Sequence, residues 1–328
     1  MITAVADASQ VAEARRRVGD QARRIGLPRH RIDQLALVVT ELATNMLKHG
    51  GGGHIHAIRC DDAEGSGIEL LALDRGSGMS DPGRCMQDGY STAGSPGTGL
   101  GAVARLADRV QIYTRPGQGC AVLVRLIEQP AGQSAPTLVG AALAPYPGET
   151  VCGDDWSWSD TPAGRTIMLA DGSGHGIEAA RAAQCAVQSF AQNAAAPIEA
   201  IVQRMHAALA PTRGAAVAVA RIDAAARLVR FVGVGNIGAL LSDAGKARHM
   251  VSHNGTAGHV APRIREFTYE YGSEPVVILH SDGLTTRWEL AAYPGLAAQH
   301  PSLIAGVLLR DHRRSRDDAS VVAMRAAV

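Results

Sequence analysis

Aromatic residues are scarce, at 4% of 328 residues, and neither sign of charge dominates: 32 Lys and Arg stand against 31 Asp and Glu, for a formal net charge of +1. A nucleic-acid coat needs a basic excess to displace counterions, and a single-strand binder needs aromatic stacking platforms, so neither class is expected. No run of eighteen or more apolar residues is present, which excludes a membrane-spanning helix. The first residues, MITAVADASQVAEARRR, carry their charges after the apolar positions, the reverse of a secretory signal. Cysteine is sparse: Cys60, Cys85, Cys120, Cys152 and Cys185 are odd in number, scattered, and form no CxxC pair. That pattern excludes a disulfide framework and a zinc ribbon, fits a reducing cytoplasm, and leaves the five as small buried apolar side chains.

Glycine is plentiful. The 37 glycines are about 11% of the chain against a usual ~7%, and they cluster, which marks tight loops near ligands. The length allows two domains, each with a core. Residues 8–25 read as an amphipathic helix closed by Gly26 and Pro28. A second helix carries Ile32, Leu35, Val39, Leu42, Met46 and Leu47 on one side and stops at the run Gly50 to Gly53. HIHAIRC and GIELLALD read as strands, Arg75 to Thr98 as a loop, LGAVARLAD as a short helix, and VQIYT with GCAVLVRLI as a closing hairpin. Residues 128–136 are the linker candidate, which sets domains at 1–127 and 137–328. Beyond the linker, strand-like runs at LVGAALA, TIMLAD, AAVAVARID, LVRFVGV, PVVILHSD and SVVAM, with two helices near 177–195 and 197–210, suggest a β-sandwich flanked by helices.

On the second helix Gln34, Glu41, Asn45 and Lys48 share a face, by steps of seven, four and three. A solvated face is the simplest reading, but two further motifs accompany it. Asp74-Arg75-Gly76-Ser77-Gly78-Met79 follows a hydrophobic strand: the glycines let backbone approach a flat ligand, and Asp74 accepts from an exocyclic amine. Ser95 to Gly101 (SPGTGLG) precedes a helix, where exposed amides receive phosphate oxygens. Taken in order, ELATNMLKHG, DRGSGM and GTGLGAVARLAD resemble the nucleotide-binding boxes of the GHKL, or Bergerat-fold, ATPases. Residues 8–127 are most similar to the small anti-sigma kinases of the RsbT/RsbW type. The resemblance implies ATP with Mg²⁺ as cofactor: Asn45 on the Mg²⁺, Glu41 as general base toward a serine or threonine hydroxyl, and Asp74 on the adenine amine. Gly76, Gly78, Thr98, Gly99, Leu100 and Gly101 would wrap base and phosphates, under a lid from Gly89 to Pro96. His49, His54 and His56 flank the glycine run, but no cysteine or carboxylate completes a tetrahedral metal set beside them.

The second half spreads four acidic motifs: CGDDW at Cys152 to Trp156, ADGSGHG at Ala170 to Gly176, HSDG at His280 to Gly283, and RDDAS at Arg316 to Ser320. Each lies at the end of a strand-like run. One Asp-Gly is a turn by default; four at strand ends suggest carboxylates meeting at one place. Such a cluster repels itself unless hard divalent cations neutralise it, and a pair of ions about 3.5–4 Å apart can clamp a phosphoryl group. These motifs resemble the metal-dependent PPM serine/threonine phosphatases of the SpoIIE/RsbU/RsbX branch. The resemblance implies two Mn²⁺ or Mg²⁺ ions held by Asp154, Asp171, the Gly172 carbonyl, Asp282 and Asp317, with Asp154 and Asp171 central to catalysis. It leaves the roles of Asp155 and Asp318 open. His175 reads as loop structure, with proton transfer as its other reading.

The expected fold is α+β in two domains, a Bergerat α/β sandwich followed by a PPM-type αββα sandwich. The two resemblances together imply a cytoplasmic, bifunctional regulator of a partner-switching pathway. It would act on STAS-domain anti-sigma-antagonist proteins or their phosphorylated forms, with other stressosome or sigma-regulatory proteins as further partners. Two other readings stand beside it: a phosphatase regulated by an ATP-sensing first domain, and a binder of a sigma factor or phosphatase. The basic runs at Arg15–Arg17 and at Arg313, Arg314 and Arg316 read as solvated surface, with a docking patch for an acidic partner as the other reading. Ser252 to Tyr271 is expected to be a loop.

Overall fold

A computed structural model describes residues 1–62, 64–86, 99–128, 139–261 and 263–326. The chain forms two compact units, Met1–Thr137 and Leu138–Val328.

In the first unit β1 (Ile2–Val5), α1 (Ala8–Arg24), α2 (Arg29–Asn45), β2 (Gly53–Asp62), β3 (Gly65–Asp74), α3 (Pro82–Cys85), α4 (Gly99–Leu106), β4 (Arg109–Thr114) and β5 (Cys120–Ile127) follow in order. The strands make one sheet, β1-β2-β3-β5-β4, antiparallel throughout. Asp7 caps α1 by accepting from the Ser9 and Gln10 amides at 2.8 and 3.2 Å, a contact worth about 1 kcal/mol. Gly26, at φ +84°, stops that helix. The apolar sides of α1, α2 and α4 pack on one sheet face around Val18, Leu35, Leu42, Ile55, Leu70 and Val124.

Two details differ from the sequence expectation. The second helix leaves α geometry at Asn45 and continues as one π-helical turn, Met46–Gly50. The loop from Arg75 contains the short helix α3, started by Pro82 and by Asp81 accepting from the Arg84 amide at 3.0 Å. The proposed lid, Thr98, and linker residues 129–136 lie outside the described residues.

The second unit continues with β6 (Val139–Ala144), β7 (Asp154–Thr161), β8 (Gly164–Gly172), α5 (Ile177–Asn193), α6 (Ile198–Leu209), β9 (Ala215–Asp223), β10 (Leu228–Val234), β11 (Gly238–Asp243), β12 (Lys246–His249), β13 (Phe267–Glu270), β14 (Val276–His280), α7 (Pro301–His312) and β15 (Ala319–Arg325). Two antiparallel sheets, β13-β10-β9-β8-β7 and β12-β11-β14-β15-β6, enclose a core of Ile167, Leu169, Phe231, Leu241, Leu279 and Val322. Helices α5 and α6 cover the outer face of the first sheet through Phe190, Ile201 and Met205. Helix α7 lies on β6 and β15. Gly140 permits that approach, since a Cβ there would stand 2.2 Å from the Ser302 amide nitrogen.

The expected αββα sandwich is therefore present. The stretch Ser252 to Tyr271 is not wholly loop, because Phe267–Glu270 pairs with β10. The cysteines are all free, but only Cys60 and Cys120 are buried; Cys85, Cys152 and Cys185 are half-buried. No helix among the described residues is long and apolar enough to cross a membrane.

Candidate functional site

The β7–β8 hairpin sets Asp154 directly opposite Asp171. Asp154 is 3% exposed and accepts from the Ser320 hydroxyl at 2.7 Å. Ser320 belongs to β15, and its amide donates to Ser281 Oγ at 3.0 Å. One serine pair thus ties the first acidic motif to the third and fourth.

Glycines make the approach possible. A Cβ on Gly283 would fall 1.9 Å from the Asp318 carbonyl oxygen, one on Gly153 2.6 Å from Asp318 Oδ2, and one on Gly172 2.0 Å from the Ala179 carbonyl oxygen. Asp171, Asp282 and Asp317 line one cleft of about 600 Å³ in this unit.

The electrostatics agree with that convergence. Burial, then the charges of Asp154, Asp282, Asp317 and Asp318, holds the Asp171 carboxyl well above the usual carboxylate range. Burial likewise raises Asp154, opposed by its serine hydrogen bonds and reinforced by Asp318 and Asp282. Asp317 is raised by burial and by Asp282. Two carboxylate oxygens, Asp154 Oδ1 and Asp318 Oδ2, are buried with no hydrogen-bond partner. Leaving such atoms unsatisfied costs about 1–3 kcal/mol or more each.

This donor set of hard oxygens, repelling one another and partly orphaned, fits divalent cations. Among the described residues no three His, Cys, Asp or Glu side chains are grouped to hold an ion by themselves. Mg²⁺ ordinarily keeps several waters and takes only one or two carboxylates directly, so a grouping of three is not required.

In the first unit the side chains of Glu41 and Asn45, one turn apart on α2, meet the start of α4. A Cβ on Gly99 would lie 3.3 Å from Glu41 Oε2 and 3.5 Å from both terminal atoms of Asn45. Asp74 ends β3, and its Oδ1 accepts from the Gly76 and Cys120 amides at 2.9 and 3.2 Å. Gly76 is pressed against the π-helical turn: a Cβ would stand 2.2 Å from the His49 carbonyl oxygen. Gly78, at φ +69°, similarly faces the Arg115 carbonyl. Leu100 and Gly101 are buried in α4. The fold therefore gathers Glu41 and Asn45 with Gly99, and Asp74 with Gly76.

Residues 162–327 match the family described as Stage II sporulation protein E (SpoIIE). The chain belongs to the SpoIIE family. Residues 4–126 match the histidine kinase-like ATPase domain. The serine/threonine-protein kinase RsbT of Bacillus subtilis (strain 168) is 34% identical over 90 residues, which is 27% of this chain and 68% of that protein. Among solved structures, a chain from the bacterial stressosome, described as a modular system adapted to control secondary messenger signaling, is 27% identical at TM-score 0.53. It covers 58% of this chain and 98% of its own length. RsbX in complex with magnesium is 16% identical at TM-score 0.50, covering 66% of this chain and all of that one, and shows the same fold. This SpoIIE-family chain thus joins a histidine kinase-like ATPase domain to a SpoIIE domain.

Several residues of the SpoIIE-type cleft were not singled out from the sequence. Asn236 Nδ2 donates to Asp282 Oδ2 at 2.7 Å. Asp318, left without a role, is 3% exposed, and its Oδ1 accepts from the Tyr146 amide at 2.8 Å. Asp155 accepts from the Trp156 amide at 2.9 Å, and strand alternation turns it away from Asp154. The second basic run is not simply solvated. Arg314 and Arg316 are exposed, Arg316 at the edge of the cleft, but Arg313 is half-buried and donates to the Pro145 carbonyl. Asn236 carries a readable sign, a polar residue in the short GNIG link between two apolar strands; Tyr146 and Glu149 carry none.

Proposed function

We propose that this chain sets the phosphorylation level of a small regulatory protein from both directions. The second unit would remove phosphate from a phosphoserine or phosphothreonine, and the first would place it there from ATP. The carrying observation is that Asp171, Asp282 and Asp317 line one cleft, with Asp154 across the ladder from Asp171.

In the phosphatase unit, Asp154, Asp171, the Gly172 carbonyl, Asp282 and Asp317 would hold two Mn²⁺ or Mg²⁺ ions, which supply Lewis-acid stabilisation of the phosphoryl charge. Ser320 and Asn236 fix the carboxylates of Asp154 and Asp282 in place. Two large apolar side chains stand exposed beside the cleft: Ile177, next to Gly176, at 63%, and Val260, whose carbonyl accepts from the cleft residue Thr256, at 66%.

In the kinase unit, Glu41 would take the proton of the attacking hydroxyl, Asn45 would hold Mg²⁺, and Asp74 would accept from the adenine amine. Gly76, Gly78, Gly99, Leu100 and Gly101, with Thr98, would surround the base and phosphates. A carboxylate beside the helix start, where phosphate oxygens would be received, supports phosphoryl transfer over nucleotide sensing alone. The partner class proposed is the STAS-domain anti-sigma antagonist of partner-switching systems.

The test of the phosphatase is Mn²⁺-dependent phosphate release from a phosphoserine substrate. Loss of that release in Asp171→Asn supports the proposal, and unchanged release refutes it. The test of the kinase is transfer from labelled ATP to a candidate partner; bound nucleotide without transfer would reduce the first unit to a sensor.

A further inference from the structure

Two exposed arginines stand at the mouth of the carboxylate cleft, on different loops. Arg316 lines the cleft directly, one residue before Asp317. Arg213, between α6 and β9, reaches it from its own loop: a Cβ on the cleft residue Gly174 would stand 3.4 Å from Arg213 Nη1.

Both loops are firmly held. Arg313 donates to the Pro145 carbonyl, and the Arg314 amide donates to the Gly283 carbonyl at 2.8 Å. In the other loop the Gly214 amide donates to Thr212 Oγ1 at 3.0 Å, and the Gly214 carbonyl accepts from the Ser173 amide at 3.0 Å. The backbone thus presents each arginine from a fixed base.

The two guanidinium groups have no ion pair and no hydrogen bond among the described residues. Nearby carboxylates outside the cleft are engaged elsewhere. Glu149, against Gly176, lies 3.0 Å from His175 Nδ1, and Glu178 accepts from Arg181 at 2.6 Å. Two rigidly based, unpaired arginines beside a cleft of aspartates are open to an acidic ligand, and the planar guanidinium fork matches a carboxylate.

The floor of the cleft, where the aspartates gather, is the place for the phosphoryl group. The rim meets what surrounds it. An extended chain advances about 3.3–3.6 Å per residue, so side chains two or three positions from the phosphorylated residue reach the rim. We propose that Arg213 and Arg316 select the substrate by binding aspartate or glutamate side chains within about three residues of the phosphorylated serine or threonine. This rests on the phosphatase reading and specifies the sequence context that its cleft accepts.

The experiment uses the full chain with saturating Mn²⁺ and two phosphoserine peptides, one with Asp at two positions on each side and one with Asn in their place. The parent chain is expected to favour the Asp peptide about 5–20-fold in kcat/KM, through KM, as the product of two exposed ion pairs. That preference should shrink as salt is raised. Arg213→Ala and Arg316→Ala should each lower it about 2–5-fold, and the double variant should bring it within about two-fold of unity. Arg213→Glu should improve turnover of a Lys-flanked peptide over the parent chain, a gain that misfolding does not imitate.

No preference in the parent chain, a preference that salt leaves unchanged, or one retained in the double variant overturns the proposal. So does an equal loss on the Asp and Asn peptides, which would mark the arginines as holding the phosphate rather than its neighbours. If the parent chain hydrolyses neither peptide, the phosphatase reading itself fails, a result distinct from equal hydrolysis of both.

Discussion

Asp154 and Asp171 face each other across the β7–β8 ladder as cross-strand partners, and both carboxyls are held above the ordinary aspartate value of 3.8. The main cause in each is burial, with the neighbouring aspartates adding to it. A folded-state value above the unfolded one means that the fold binds more protons than the open chain. Their contribution to stability is therefore complete below the ordinary value and is lost as the pH rises through the raised values.

The metal-free chain should accordingly lose stability, relative to Asp171→Asn, as the pH rises from about 5 to about 8. At neutral pH the variant should be more stable without metal by about 1–3 kcal/mol, since an amide, unlike the carboxyl, does not have to take up a proton to be buried among the other aspartates. Thermal unfolding of both chains in chelator across that range checks this. A difference independent of pH would contradict it.

Added Mn²⁺ should reverse the order. It should raise the unfolding midpoint of the parent chain, more at pH 8 than at about pH 5, because cations bind the ionised carboxylates. Asp171→Asn should show little of that rise.

Asn236→Ala removes the hydrogen bond that orients Asp282. The expected effect is a 10–100-fold loss of metal affinity, about the size typical of a lost outer-shell partner, with the unfolding midpoint in chelator little changed. Calorimetric titration of Mn²⁺ measures it.

In the first unit Glu41→Ala should leave nucleotide affinity within a few-fold while phosphoryl transfer falls by about 10² or more. Gly76→Ala should act differently. Its Cβ would meet the His49 carbonyl at 2.2 Å and Gly50 Cα at 2.5 Å, both backbone, so it should unfold the π-helical turn and cost about 1–3 kcal/mol along with nucleotide binding. Fluorescent-nucleotide binding and thermal unfolding separate the two outcomes.

The strands that alternate or run apolar, such as GIELLALD and PVVILHSD, were legible because their period and bounding turns are local properties. Strand β7, DDWSWSDT, was not: it is half-buried and polar at most positions, so its pairing with β8 decides it rather than its composition. Helix α7 was missed for the opposite reason. Pro301 to Leu309 is buried all round, leaving no amphipathic stripe to read, although Pro301 at its first position marked the start. At the site, the aspartates were legible as motifs at strand ends. What holds them was not, since Ser320, Asn236 and Tyr146 reach them only through long-range pairing of the strands and loops that carry them.

The most direct measurement is phosphate release from a phosphoserine peptide by the full chain, followed as Mn²⁺ is titrated into the metal-free protein. The account predicts no release without metal, a rise that saturates with two ions bound per chain, and its abolition in Asp171→Asn. Release that persists in chelator, or that survives Asp171→Asn unchanged, would contradict it.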